Sequence, residues 1–561
     1  MKILIVGGVA GGASTAARLR RNDEKADIIL FEKGEYISFA NCGLPYYIGD
    51  VITDKKKLII QTPEKFSKRF NIDIRVNSEV ISVDCNLKRV IVKNHSTGET
   101  YVESYDKLVL SPGAKPIIPH MKDMELNHIF TLRNIPDTYA IKNFVEQNHP
   151  KNCVVIGGGF IGLEMAENLY KIGLDVSIVE AASHVIAPID MDVAHDIHNY
   201  IRTKGIKLYL NSKAIGCTAT SLILHNGMEI PADMIIMSVG VSPETEFLKN
   251  SGIELGERGE ILVNEYMETS APDIYALGDA VSVKNIISNK QVIIPLASPA
   301  NKQGRIVADN ICGKKIGYKG SQGTSIMKLF EMTVAVTGEK EESLIRNGIS
   351  YKKIFTYSAS HATYYPDSQM MSIKLLFAPD NGKILGAQIV GYQGVDKRID
   401  TLANAVRFGL TVYDLQEMEL AYAPPFSSAK DPVNMAGYVA GNVLEGKMKP
   451  FYIEDVPSIP KDAIILDVRI DEEFAKGHIE GSFHIPLDEL RERLTELDKS
   501  KKIYIICQIG LRGYIAQRIL DQNGYDTLNL SGGYRLYSAS EIDKKQEKAT
   551  YESCLPCGKS I

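Results

Sequence analysis

The 561-residue chain carries one local pattern twice: a short apolar strand, a glycine-rich turn, a helix, and a second strand that ends in a carboxylate. The clearer copy is VVIGGGFIG, where Gly157, Gly159 and Gly162 are set as Gly-x-Gly-x-x-Gly between a strand starting at Cys153 and the helical GLEMAENLYKIG. Glycines at that spacing allow a tight turn and bring backbone N–H groups and the positive end of a helix close to a pyrophosphate. The next strand, DVSIVE, ends at Glu180, where a carboxylate can accept the hydroxyls of an adenosine ribose. A 2′-phosphate would meet that carboxylate, and Ala181 and Ala182 offer no cation, so the pattern favours NADH and leaves NADPH as the alternative. Phe160, Ile161 and Gly240 complete the contacts expected at this turn.

The other copy, LIVGGVAGGAS, is degenerate. Gly7, Gly11 and Gly12 are present, but Val9 stands where the second glycine would fall, and Ala10 follows it. Glu32, with Lys33 after it, closes the strand DIILFE. Strand runs alternating with helical ones fix an α/β class with two Rossmann-like dinucleotide-binding domains. The expected organisation is a first domain built from 1–115 and 245–325, a second at 116–244 inserted in it, and an α+β unit at 326–445. A Pro-bearing linker at 446–460, a compact α/β unit at 461–545 and a charged, flexible tail at 546–561 follow.

Composition narrows the function. There are 64 Lys+Arg against 69 Asp+Glu, and the formal net charge of −5 argues against a duplex nucleic-acid partner. No run of about 18 apolar residues marks a membrane span. The eight cysteines are scattered rather than set as a disulfide framework, which points to a reducing cytoplasm.

Two further stretches, LVLSPGA with Ser111 and Gly113, and TSAPDIYALGDA with Gly278 and Asp279, resemble the flavin-binding motifs of flavoproteins with two dinucleotide domains. The resemblance implies FAD in the first domain, with Asp279 holding the ribityl chain, and a nicotinamide in the second. The string SFANCGLPYYIG resembles that of the coenzyme A-disulfide reductases, within the pyridine nucleotide-disulfide oxidoreductase family, and the likeness runs over roughly residues 1 to 445. Cys42 follows Asn41 and opens the next helix, whose N–H groups are expected to lower its pKa. Dithiol relatives carry a second Cys five positions on, where this chain has Tyr47, so the disulfide partner of Cys42 comes from outside the chain.

The same resemblance implies a homodimer in which Tyr364 and Tyr422 reach the neighbouring subunit's site as proton donors, with Tyr365 competing for the first assignment. It places Ser14, Arg18, Arg21, Ser38, Asn41, Asn301 and Lys430 at the phosphates and pantetheine of coenzyme A, and Lys68 or Arg69 at a further basic contact near Phe70. NADH oxidases and peroxidases of the family use one Cys as a sulfenic acid and carry a His where this chain has Ala10.

The C-terminal unit has Asp467-Val-Arg469, GHIEGSFHIPL, and a strand ending at Cys507 in Cys507-Gln-Ile-Gly-Leu-Arg512. It resembles a single rhodanese domain, whose loop wraps N–H groups and an Arg around one sulfur. His478 and His484 are expected to be structural. Cys554-x-x-Cys557 in the tail is too small for a structural zinc site and is left as a sulfur shuttle, a redox pair or an inert end. Fusing both halves makes sulfur delivery a local event. The chain therefore reads as a flavoprotein reductase of coenzyme A disulfide, coenzyme A persulfide or polysulfide, fed by Cys507. An NADH oxidase or peroxidase, a sulfurtransferase and a non-enzymatic sulfur carrier are the alternatives.

Overall fold

The computed structural model describes residues 1–122 and 127–552. Cys554 and Cys557 lie outside the described residues. Two compact units appear, one from residues 1–179 and 212–321, the other from 180–211 and 322–561.

The first unit holds a five-stranded parallel sheet in the order Ile274–Ala276, Lys107–Leu110, Lys2–Val6, Asp27–Phe31, Asp73–Arg75. Its central strands are buried on both faces, as continuous Ile/Leu/Val runs require, and the 13-residue helix Ala10–Asn22 packs on one side. A second parallel set runs Asp175–Val179, Asn152–Ile156, Met234–Met237, Ile129–Thr131, followed at its glycine turn by the helix Phe160–Lys171. A three-stranded antiparallel sheet, Ser78–Asp84, Arg89–Asn94 and Thr100–Ser104, adds to the first core.

The second unit holds an antiparallel sheet in the order Ser325–Leu329, Met332–Gly338, Ile384–Gly391, Met370–Phe377, Lys352–Ala359. Beyond it a parallel sheet runs Pro450–Phe451, Thr527–Leu530, Ile503–Ile506, Ile464–Asp467, Phe483–His484.

Two expectations change here. The segment 446–460 is not a loose linker: Pro450–Phe451 is a strand of the parallel sheet, and the 3₁₀ turn Ile453–Ser458 follows. It is tied down further by Lys353 Nζ on Glu454 Oε1 at 2.5 Å and by the Tyr452 hydroxyl donating to the Lys353 carbonyl at 3.0 Å. The described part of 546–561 is not a free tail either, because the helix Gly533–Glu552 continues through it. That helix docks on Met191–Thr203 through buried Asp543, whose Oδ2 accepts from His195 Nδ1 at 2.6 Å and His198 Nδ1 at 2.8 Å while Oδ1 pairs with Arg202.

Candidate functional site

The two glycine turns share one steric logic. A Cβ on Gly7 would fall 2.0 Å from the Ser111 carbonyl oxygen, and one on Gly157 2.4 Å from that of Ser238. Both residues adopt left-handed φ, +96° and +104°. The last glycines are matched as well: a Cβ on Gly12 would meet the Gly7 oxygen at 1.8 Å, and one on Gly162 the Gly157 oxygen at 2.0 Å. The middle position is different. Gly159 has nothing within 4 Å of a would-be Cβ, and its counterpart Val9 sits at φ −94°. The backbone there tolerates a side chain, so the missing glycine of the first copy does not damage the turn.

The carboxylates ending the second strands are held by backbone N–H groups. Glu32 Oε2 accepts from Gly8 at 2.8 Å and Oε1 from Gly34 at 3.0 Å, while Lys33 pairs with Glu244. Glu180 Oε1 accepts from Ala182 at 2.7 Å. Gly113, Gly240 and Gly278 all take left-handed φ, and the Gly278 N–H donates to Gln303 Oε1 at 2.8 Å.

The Cys42 segment is anchored to the first turn. The Ser38 N–H donates to the Gly8 oxygen at 2.9 Å, and the Ala40 N–H to the Leu58 oxygen at 2.8 Å. Cys42 lies in the 3₁₀ turn Asn41–Gly43, which runs into the five-residue helix Leu44–Ile48. It is exposed and unpaired. The expected lowering of its pKa is not found. Partial burial raises the thiol first, then the carboxylates of Glu164 and Asp279 add to it, and Arg133 opposes them. A helix this short contributes little dipole against two nearby carboxylates.

Arg133 and Glu164 were invisible to sequence reasoning. Arg133 Nη2 lies 3.5 Å from Asp279 Oδ2, and the Asn41 amide, oriented to satisfy both groups, donates to the Arg133 carbonyl at 3.0 Å and accepts from its Nη1 at 3.1 Å. Burial pushes Asp279 up, with Arg133 opposing. Glu164 is pushed up to about 7 by burial and by Glu167, against a hydrogen bond from the Tyr46 hydroxyl at 3.2 Å. It falls two residues after Gly162, and that adjacency to the turn was the only signal available.

A cavity of about 400 Å³ opens beside the first helix. Ser14, Arg18, Arg21, Ser38 and Asn301 line it together, and Ser14 hydrogen-bonds Asn301. Asn41 and Lys430 are not in its lining; Lys430 is exposed in the second unit. Of the two basic alternatives, Arg69 lines the cavity, on the helix Pro63–Phe70 that also contributes Phe66 and Phe70. Arg305 is a further cation there that sequence reasoning missed. Arg18 is already paired, its Nε on Asp309 Oδ1 at 2.9 Å and Nη2 on Oδ2 at 3.2 Å.

In the second unit, Tyr364 and Tyr422 are exposed by 75% and 47%, and their hydroxyl oxygens are 2.8 Å apart. Residues 58 apart in sequence are thus presented as one phenol pair. Cys507 directly follows the strand Ile503–Ile506, rather than ending it as expected, and is fully buried. The Gly510 N–H donates to its Sγ at 3.0 Å, and Gly510 takes φ +102° at the start of the helix Leu511–Gln522. Burial raises the thiol, opposed by the N–H groups of Gly513, Ile509 and Gly510 and by Arg512. Arg512, expected beside the sulfur, acts on the Cys507 thiol while its guanidinium is also held by Glu473, at 2.7 and 2.8 Å. His478 and His484 stack on Phe474, and His484 Nε2 reaches the Arg469 carbonyl at 2.8 Å, as structural residues do.

Residues 1–304 match the family described as pyridine nucleotide-disulphide oxidoreductase, and residues 324–432 match its dimerisation domain. The chain belongs to the pyridine nucleotide-disulphide oxidoreductase family. Residues 456–540 match the rhodanese-like domain, so this is a disulfide reductase of that family carrying a rhodanese domain. A coenzyme A disulfide reductase of Staphylococcus haemolyticus is 39% identical over 440 residues, which covers 78% of this chain and 99% of that protein. The crystal structure of reduced Bacillus anthracis CoADR-RHD superposes with a TM-score of 0.95 at 49% identity, covering 97% of this chain and 98% of that one. An NAD-dependent persulfide reductase from A. fulgidus gives a TM-score of 0.90 at 34% identity, covering 96% and 100%. These likenesses favour the reductase over the oxidase, peroxidase and sulfurtransferase alternatives. Among the described residues no helix is long and apolar enough to cross a membrane.

Proposed function

We propose that this chain is an FAD-dependent, NADH-preferring reductase of coenzyme A disulfide, coenzyme A persulfide or polysulfide, working as a homodimer, with Cys507 delivering sulfane sulfur. The observation that carries the reading is the single cysteine: Cys42 is tied to the first glycine turn, and Tyr47 occupies the place of a second thiol.

The residues present fit FAD. Gly7, Gly11 and Gly12 form a turn packed so closely that a Cβ on any of them would strike Ser111, Leu277 or Gly7, Glu32 offers carboxylate oxygens at the ribose end, and half-buried Asp279 offers a carboxylate toward the ribityl hydroxyls. Ser111, Gly113 and Gly278 would line the same ligand. Gly157, Gly159, Phe160, Ile161, Gly162 and Gly240, with Glu180 for the ribose, would hold the pyridine nucleotide. FAD, when bound, supplies a two-electron relay between that nucleotide and a disulfide.

The chain's own residues do the rest. The Cys42 thiolate attacks one sulfur of R–S–S–R, expelling R–S⁻, or the R-bound sulfur of R–S–SH, expelling HS⁻; in each case a Cys42–S–S–R bond forms as the old S–S bond breaks. Tyr364 and Tyr422 of a neighbouring subunit would donate a hydrogen bond and then a proton to the departing thiolate. The cavity lined by Arg21, Arg69 and Arg305 has the charge for coenzyme A phosphates, with Ser14, Ser38 and Asn301 as neutral donors and acceptors. Arg18, already neutralised by Asp309, contributes less.

Anaerobic NADH oxidation against coenzyme A disulfide, coenzyme A persulfide and inorganic polysulfide, with sulfide and thiol quantified together, tests this reading. Turnover with one of the three is expected. Turnover with none, alongside steady NADH use with O2 or H2O2, would replace it with the oxidase. Glu180→Ala is expected to erode the preference for NADH over NADPH.

A further inference from the structure

The charges around Cys507 are unusual for a cradle meant to hold an anion. Arg512 is paired in a fork with Glu473, and Arg469, the other arginine of the loop region, is paired with Asp467 through Nε at 3.0 Å and Nη2 at 2.7 Å. Arg469 is further spent on the Gly477 carbonyl at 2.7 Å, and its guanidinium stacks 3.9 Å above the Tyr534 ring. Each guanidinium of the cradle therefore has its own carboxylate, and only N–H dipoles face the sulfur without a counter-charge. Those dipoles can stabilise one sulfur-centred charge. A dianion such as thiosulfate brings a sulfonate as well, whose desolvation needs a cation.

The flanks of the loop point the same way. Leu511, next to Arg512, is 55% exposed, and Ile470, next to Arg469, is 48% exposed. The Ile470 N–H donates to Glu473 Oε2 at 3.2 Å, which fixes that apolar side chain beside the ion pair. Exposed apolar residues thus adjoin, in sequence, both arginines that are already neutralised.

We infer that Cys507 takes its sulfur from thiol persulfides, R–S–SH with an organic arm, and rejects thiosulfate, and that Glu473 sets this choice by occupying Arg512. The inference rests on the proposed role of Cys507 as a sulfane-sulfur carrier. In the transfer, the Cys507 thiolate attacks the terminal sulfur of R–S–SH; the Cys507–S bond forms, the R–S bond to that sulfur breaks, R–S⁻ leaves, and Cys507–S–SH remains. No net oxidation occurs. Glu473 is a positioning residue that acts through the Arg512 guanidinium.

The test uses the full-length holoenzyme with cyanide as acceptor and thiocyanate as readout, comparing glutathione persulfide with thiosulfate as donors. The wild type is expected to use glutathione persulfide with a kcat/KM at least about a hundredfold above that for thiosulfate. In Glu473→Gln the thiosulfate-to-persulfide ratio is expected to rise at least tenfold, mainly through a lower KM for thiosulfate, and Glu473→Asp is expected to restore the wild-type ratio. Equal use of both donors by the wild type, or an unchanged ratio in a folded Glu473→Gln protein, overturns the inference. A wild type that forms thiocyanate from neither donor, with NADH-dependent reduction intact, instead removes the carrier role on which the inference rests.

Discussion

Cys42 and Cys507 both sit where a loop runs into a helix, and neither is bonded to another cysteine. Their surroundings differ in sign. Burial is the first cause raising both thiols; at Cys42 the carboxylates of Glu164 and Asp279 add to it and Arg133 opposes. Around Cys507, three N–H groups and Arg512 oppose the burial. The second sulfur is thus preorganised: once its proton has left, donors are already aimed at the charge. The first depends on what joins it, whether a ligand, a neighbouring subunit or a proton on Glu164. On the proposed roles the needs are opposite: the nucleophile must be idle between substrates, and the carrier must hold a charged sulfur.

The strongest blow to this contrast is Cys42→Ser, expected to cut NADH-driven disulfide turnover by about a thousandfold or more while the flavin spectrum persists. Cys507→Ser in the same assay should keep coenzyme A disulfide reduction, and a collapse there would mean the two sulfurs are not separable.

Next in size is Asp543→Ala. Three partners, His195, His198 and Arg202, lose their shared carboxylate, and breaking a buried ionic cluster of this kind costs about 3–5 kcal/mol. Thermal or urea unfolding of the intact protein checks it. The pH dependence has one direction. Burial holds His198 below its usual pKa, so the unfolded imidazole takes up a proton near about 6.5 while the folded one stays neutral. Asp543 is held well below the carboxylate range by its imidazole and arginine partners despite its burial. The His198 contribution is complete above about 6.5 and declines as the pH falls below it, whereas the Asp543 contribution holds down to about 4 and is lost below that. Asp543→Ala should abolish the acid-range loss and, because Asp543 holds the His198 pKa up, deepen the decline below about 6.5.

Gly510→Ala tests the preorganisation of Cys507. At φ +102° an alanine is strained by about 1–3 kcal/mol, and the loop N–H would turn from the sulfur. Slower formation of the Cys507 persulfide, measured by mass spectrometry, is expected. The smallest effect is that of Glu164→Gln. With one opposing carboxylate removed, alkylation of Cys42 by iodoacetamide should reach half-maximal rate at a lower pH, and the inflection near pH 7 from Glu164 itself should vanish.

Much of this was legible in the sequence because it depends on local rules. Strand limits such as Asp27–Phe31 and Lys107–Leu110 coincide with the apolar runs, since parallel strands buried on both faces have no choice of composition. The helix Pro432–Leu444 starts on a local signal of the same kind, with Pro432 at its first position and Asp431 accepting from the Val433 N–H. What was not legible depends on partners remote in sequence. Nothing near Arg133 announces that it will face Asp279, and Glu164 looks like any helix-face glutamate until Tyr46 and Cys42 are folded beside it. The Arg512 pairing with Glu473 likewise joins residues 39 apart. The helix through Asp543 was hidden because a charged run resembles a solvated end unless its docking histidines are known.

The strand Pro450–Phe451 has a practical meaning for where this chain can be cut. It covers one edge of Thr527–Leu530, with the Asn529 N–H donating to the Lys449 oxygen and the Ser531 N–H to the Phe451 oxygen, each at 2.9 Å. An excised C-terminal fragment beginning at 461 would bare that edge and invite edge-to-edge aggregation, whereas one beginning at 446 brings its own cover. Any exchange of modules between proteins of this layout has to cross upstream of the prolines, so the seam lies on the reductase side of the segment that looks like a spacer.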